Sequence, residues 1–158
     1  MSNILPDHPS TPDGTRPPHR RIRHRRRYTP VVIQTSDPGA LVCVDVLPAP
    51  GTAWVVLHAL DLTTAVLLTP AQARQTAEAV RDATEVTTGV CWTHVGPVVT
   101  LDTPPVEMPA LSVWGVDTGT VRVAVEQTHP AGWTLPPASA AVLADALDAA
   151  ATRCERAR

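Results

Sequence analysis

The chain has no lysine and no phenylalanine, and only one tyrosine and three cysteines in 158 residues. Without lysine, all thirteen basic groups are arginines, so arginine identity by itself carries no message; with abundant Ala, Val, Thr and Pro it matches a GC-rich coding bias. With one Tyr, four Trp and no Phe, the core has to be packed from Val, Leu and Ala. The cysteines, at 43, 91 and 154, are odd in number and contain no CxxC pair. That excludes a disulfide framework and a zinc ribbon and fits a reduced, cytoplasmic setting. No apolar run approaches the roughly 20 residues needed to span a bilayer. The arginine run near the start is followed by YTPVVIQTSDPG, far short of a signal-peptide core, so no membrane partner is expected.

What is present is unevenly spread. Arg16, Arg20, Arg21, Arg23, Arg25, Arg26 and Arg27 put seven arginines into twelve residues, whereas residues 28–158 hold six arginines against thirteen acids, a net −7. The near-neutral total conceals a basic arm on an acidic body. Residues 1–27 contain almost nothing apolar and are expected to be a disordered arm when free, because they have no burial to offset the entropy of ordering. Such an arm releases counterions from phosphates; Arg20 to Arg27 would neutralise about five, a salt slope of about 3 to 4 on single strands. The same composition would also serve as a solubilising tail or as a contact for an acidic protein.

From Tyr28 onward the chain carries an internal repeat. LTPAQARQTAEAVRDA (68–83) aligns without gaps on LPPASAAVLADALDAA (135–150), with seven of sixteen positions identical. The same shift pairs PVV at Pro30 with PVV at Pro97, and a shift one residue longer pairs the GT at Gly51 with that at Gly119. Two copies are expected, 28–94 and 95–158. Each reads as four Val-rich strands bounded by Pro, Gly and Asp, then a helix. Strands are expected at Val31–Thr35, Leu41–Leu47, Ala53–Leu60 and Ala65–Leu68, and again at Val98–Leu101, Leu111–Val116, Val121–Gln127 and Gly132–Leu135. Thr69, Pro70 and Gln72 predict a capping box with proline at the first helical position. The second helix lacks a good cap, but Ala140, Leu143, Ala144, Leu147 and Ala151 give it the stronger apolar stripe. In the third strands, Ala53, Val55 and Leu57 and then Val121, Val123 and Val125 should face the core. Trp54, Val56 and His58, and then Arg122, Ala124 and Glu126, should lie on open faces.

A duplicated four-strand-then-helix unit of about 65 residues resembles the Whirly proteins and, taken singly, the positive cofactor four coactivators, whose dimers make the same arrangement. The likeness is carried by the passage from fourth strand to helix, AVLLTPAQARQTAEAV and GWTLPPASAAVLADAL. The resemblance implies an α+β pseudo-dimer of two ββββα units that binds single-stranded DNA on an open sheet face, beside a basic N-terminal segment. The lysine-rich strand motif of the Whirly proteins has no counterpart here. Of the basic and aromatic residues, only Trp54, His58 and Arg122 correspond to open-face positions of the third strands.

Other chemistry is weakly signalled. Cys91 and His94 offer two zinc ligands three residues apart, which Cys43 or His58 would have to complete, but zinc sites declare themselves with two close pairs. His58 with Asp61 and His94 with Asp102 are acid–base candidates, yet no nucleophile elbow, phosphate loop or HExxH accompanies them, and Ser36, Ser112 and Ser139 sit in no recognisable setting. No catalytic residue, cofactor or metal is assigned. The expectation is a non-enzymatic protein that binds nucleic acid, single-stranded DNA before duplex, through Arg16, Arg20, Arg21, Arg23, Arg25, Arg26, Arg27, Trp54, His58 and Arg122. The alternative is a regulatory module whose acidic body binds a protein partner. Duplication would let one chain imitate a dimer, while exposed edge strands would favour a homo-oligomer.

Overall fold

A computed structural model describes residues 28–59, 64–86, 89–100, 109–116, 118–126 and 131–157. The arm, residues 1–27, lies outside the described residues. The protein is α+β, with two antiparallel sheets and two helices among those residues. Strands β1 (Val31–Gln34), β2 (Leu41–Ala49), β3 (Thr52–Ala59) and β4 (Ala65–Leu68) lead into helix α1 (Pro70–Thr84). Strands β5 (Val90–Pro97), β6 (Val99–Thr100), β7 (Ala110–Val116), β8 (Val121–Glu126) and β9 (Ala131–Leu135) lead into the C-terminal helix α2 (Pro137–Arg156). The first sheet has the order β1-β2-β3-β4-β6 and the second β5-β7-β8-β9.

The strand alternation holds on both third strands. Ala53, Val55 and Leu57 on β3 and Val121, Val123 and Val125 on β8 are buried. Trp54 and His58 are half-buried on the other side of β3, and Arg122 and Glu126 are exposed on the other side of β8. Val56 shares the side of Trp54 and is 9% exposed.

The expected strand at Val98–Leu101 is present as the short β6, and an unexpected longer strand, β5, precedes it. The strand that pairs along β7 is β5, from Val90↔Val116 to Pro97↔Ala110, so the 94/95 division drawn from the repeat falls inside a strand. The reason lies in VCWTHV, where exposed Val90, Trp92 and His94 alternate with less exposed Cys91, Thr93 and Val95, a two-residue period. A register shift between His94 and Gly96 ends this run, and Gly96 adopts φ 117°, open to glycine at no steric cost. The redirected chain then pairs Val99 with Leu67 and Thr100 with Val66 in the other sheet.

Helix α1 starts as its sequence dictates. Thr69 Oγ1 accepts from the Gln72 amide at 3.2 Å, Gln72 Oε1 accepts from the Thr69 amide at 3.0 Å, and Pro70 occupies the first turn. At α2 the cap is Pro136, which has no side-chain cap bond, so the buried stripe of Ala140, Leu143, Ala144, Leu147 and Ala151 has to hold that helix through packing.

Each helix covers the sheet it does not follow. Helix α1 packs on β5, β7 and β8, while α2 packs on β1, β2 and β3. The two helices run antiparallel against each other, which their ion pairs make plain. Arg74 meets Glu155 at 2.7 Å and Asp148 at 3.8 Å, and Arg81 meets Asp148 at 2.7 Å and Asp145 at 3.0 Å. Small residues allow the close approach: a Cβ added to Gly115 on β7 would lie 2.6 Å from the Ala83 carbonyl oxygen of α1. Both helices are therefore committed to the core faces, and among the described residues no helix covers the opposite face of either sheet. Among the described residues no helix is long and apolar enough to cross a membrane.

Candidate nucleic-acid interface

The proposed residues that are described, Trp54, His58 and Arg122, do not come together. Arg16, Arg20, Arg21, Arg23, Arg25, Arg26 and Arg27 lie outside the described residues. Trp54 and His58 are on the open face of the first sheet, and Arg122 is on the open face of the second. Trp54 is half-buried opposite Leu47. His58 stands opposite Cys43 and Ala65, with Nδ1 2.9 Å from the Ala59 carbonyl oxygen. The face around them is aliphatic: Val32, Leu47 and Val99 are exposed, and Asp45 is its one acid among the described strand residues. Its described strand residues include no arginine.

Arg122 has different neighbours. Strand register places Trp92, Trp114, Arg122 and Thr134 side by side across β5, β7, β8 and β9. Trp92 is 51% exposed and Trp114 37%. Their ring centroids are 5.8 Å apart with 48° between planes, and the His94 ring is 5.9 Å from that of Trp92. Arg122 Nη1 donates to Thr134 Oγ1 at 3.2 Å. An ion pair with Glu126, two residues farther along the same face, is not what occupies it. The Glu126 carboxylate instead accepts the Ser112 hydroxyl at 3.0 Å, and Ser112 Oγ accepts from Trp114 Nε1 at 3.2 Å.

The next row across the sheet is His94, Ser112, Ala124 and Gly132. Apart from His94 at its edge, these side chains are small, so the row is shallow beside the indoles. Two angled aromatic faces, one guanidinium and a shallow strip of small residues form a platform on which planar groups can stack and a phosphate can be met. Sequence reasoning found Arg122 here and missed Trp92 and Trp114. The alternation in VCWTHV, and the shared parity of Ser112 and Trp114, would have placed both rings on an open face; their adjacency needed the register.

The zinc alternative loses its geometry. Cys91 stands opposite Gly115 and His94 opposite Ser112, so the two residues, three apart on a strand, project to opposite faces of the second sheet. Cys43 and His58 are cross-strand neighbours in the first sheet. Among the described residues no group of three or more His, Cys, Asp or Glu is arranged to hold a metal ion. The acid–base partners Asp61 and Asp102 lie outside the described residues. Ser112, buried on the open-face side, is held between Trp114 and Glu126, a structural link between two surface groups.

No family model, curated protein or solved structure matches the chain.

Proposed function

We propose that this chain is a non-enzymatic protein that binds single-stranded nucleic acid, DNA first, on the open face of the second sheet, with the arginine arm at 16–27 holding backbone phosphates. The carrying observation is the row Trp92, Trp114, Arg122 and Thr134, in which both indoles are substantially exposed. Base stacking on such rings tolerates any sequence, because every base has a π face. Arg122 adds a phosphate or cation–π contact.

A second part of the same reading is that the chain is a pseudo-dimer of two ββββα units, of the kind the Whirly resemblance implies. It is supported by reciprocal exchange: each helix covers the other sheet, Val99 pairs with Leu67, and the Ser36 amide donates to the Thr134 carbonyl at 2.7 Å. Leu67 and Thr134 are equivalent in the repeat alignment. On this reading the second unit opens at Val90 rather than at residue 95.

The test is fluorescence anisotropy with a labelled single strand of about 12 nucleotides, within the usual span of one sheet platform. Full-length protein should bind at low salt with a slope of about 3 to 4 in log–log form. Deleting residues 1–27 should remove most of that slope. Absence of any binding at low salt, to single strand or duplex, would overturn the proposal.

Protein binding is favoured by one observation on the other face. Val32 is 52% exposed, Leu47 43% and Val99 53%, on a surface with no arginine among its described strand residues, which suits an apolar partner rather than a polyanion. A first-sheet variant such as Leu47→Asp should disturb that partner and leave oligonucleotide binding unchanged.

A further inference from the structure

We propose that Glu126, positioned by Ser112, makes this face prefer bases with hydrogen-bond donors on their Watson–Crick edge, guanine above all. The inference rests on the nucleic-acid reading of the second sheet and specifies which bases it takes. Its basis is the chain of hydrogen bonds from Trp114 Nε1 to Ser112 Oγ and from Ser112 Oγ to Glu126 Oε1, at 3.2 and 3.0 Å.

That chain has three consequences. The indole N–H of Trp114 is already used, so the ring presents to a ligand chiefly its π surface. Ser112 is fully buried and spends its proton on the carboxylate, so it holds Glu126 beside the ring. Ionised Glu126 then stands as an acceptor-only group. One of its oxygens engages Ser112, and no ion pair to a cation is formed by it among the described residues. One hydroxyl bridges ring and carboxylate, a span short enough for a base resting against Trp114 to present its edge to Glu126.

The floor between them suits a flat ligand. Ala124 lies opposite Gly132 in the row next to the indoles. A Cβ at Gly132 would fall 2.6 Å from the Val123 carbonyl oxygen, so close strand packing as well as surface shape demands glycine there.

Bases differ in what they offer a carboxylate. Guanine carries two adjacent donors, N1–H and the 2-amino group, and engages both oxygens of a carboxylate at once. Adenine and cytosine present one amino group beside a ring nitrogen acceptor. Thymine and uracil present a single N–H between two carbonyl oxygens, which meet the negative charge unfavourably. A carboxylate on a surface that receives a polyanion is otherwise a repulsive element, and repulsion of the wrong ligand is an ordinary source of specificity.

The experiment compares full-length protein on three labelled strands of equal length: thymidine only, thymidine with two central guanines, and thymidine with two central adenines. The guanine strand should bind about tenfold more tightly than the thymidine strand, with the adenine strand between them. Glu126→Gln and Glu126→Ala should both weaken the guanine strand and tighten or leave unchanged the thymidine strand, so that the ratio falls to within about twofold. Equal affinity for all three strands, thymidine preference, or an unchanged ratio in both variants overturns the inference while leaving nucleic-acid binding intact. Absence of binding to every strand removes the nucleic-acid reading and this inference with it.

Discussion

Replacing either exposed indole separates the second-sheet face from the first most directly. Each base stacked on an aromatic side chain is worth roughly 1 to 3 kcal/mol by alanine substitution, which corresponds to about 5- to 150-fold in affinity. The geometry narrows that range. The rings of Trp92 and Trp114 lie 5.8 Å apart at 48°, too close and too inclined for a base to slip between them, so on the proposed reading they would serve as one angled platform rather than two independent stacking sites. Trp92→Ala on the edge strand β5 should therefore weaken a strand of about 12 nucleotides by about tenfold. Trp114→Ala should cost at least as much, because it also removes the hydrogen bond to Ser112. The double variant should lose less than the product of the two, as expected for groups in contact. Trp92 is already half in solvent, and its removal should shift unfolding free energy by about 0.5 kcal/mol or less. Trp54→Ala, on the other sheet, should leave affinity within about twofold. Anisotropy titrations at fixed low salt, paired with urea unfolding of each variant, make the comparison. If folded Trp92→Ala and Trp114→Ala bind like the parent, or if Trp54→Ala shows the larger loss, the second-sheet platform is the wrong site.

Arg122→Ala should lower affinity for all strands by a similar factor and reduce the salt slope by about 0.7, the single-strand value for one phosphate contact; an unchanged slope would leave its guanidinium to Thr134 and stacking. Gly115→Ala should destabilise the fold by about 1 to 3 kcal/mol, read as a lower urea midpoint, because the new methyl meets the backbone of α1 at Ala83 rather than a movable side chain; an unchanged midpoint would mean that α1 shifts freely on β7. Burial, reinforced by the negative charge of Asp45, pushes the Cys43 thiol up from its ordinary range. The folded state thus keeps that proton to higher pH than the unfolded chain does. The stability this contributes is complete below the unfolded thiol's pKa and is lost as pH rises through the folded value. Urea midpoints should fall as pH rises above about 8.5, the unfolded thiol's value, and Cys43→Ala should remove the fall that begins there; burial raises the Tyr28 phenol likewise, so a further fall above about pH 10 should remain.

Local rules were enough where local chemistry decides. Thr69, Pro70 and Gln72 form the capping box their spacing implies, and the stripe from Ala140 to Ala151 is buried throughout. The alternation in TVRVAVEQ sorted Val121, Val123 and Val125 from Arg122 and Glu126, because one face of β8 packs against the core and the other does not. What could not be read was anything set by pairing between distant segments. Val98–Leu101 looked like the opening strand of the second half because it echoes PVV at Pro30, yet the β7 partner is Val90–Pro97. Nothing in the strands themselves says which sheet a helix will cover, since an apolar stripe fits either. The same limit hid the platform: Trp92, Trp114 and Arg122 are spread over thirty-one residues of sequence and become neighbours only through the registers of β5, β7 and β8.

The proposed function divides charge and stacking between two parts of the chain, and that division is itself a testable feature. Residues 28–158 sum to −7, and the second-sheet row supplies one arginine, with Glu126 nearby. The body alone should therefore attract a polyanion poorly at a distance, however well its indoles stack at contact. On the proposed reading the arginines at 16–27 would supply the long-range attraction, which is screened over about 8 Å at physiological salt. Removing the arm should accordingly slow association and flatten the salt slope while leaving the relative preference among bases almost unchanged, whereas Glu126→Gln should change that preference and leave the slope alone. Stopped-flow association rates for both variants, measured on the thymidine and guanine strands at two salt concentrations, distinguish the roles. If arm deletion erased base preference as well as rate, recognition would belong to the arm and the sheet would be no more than its support.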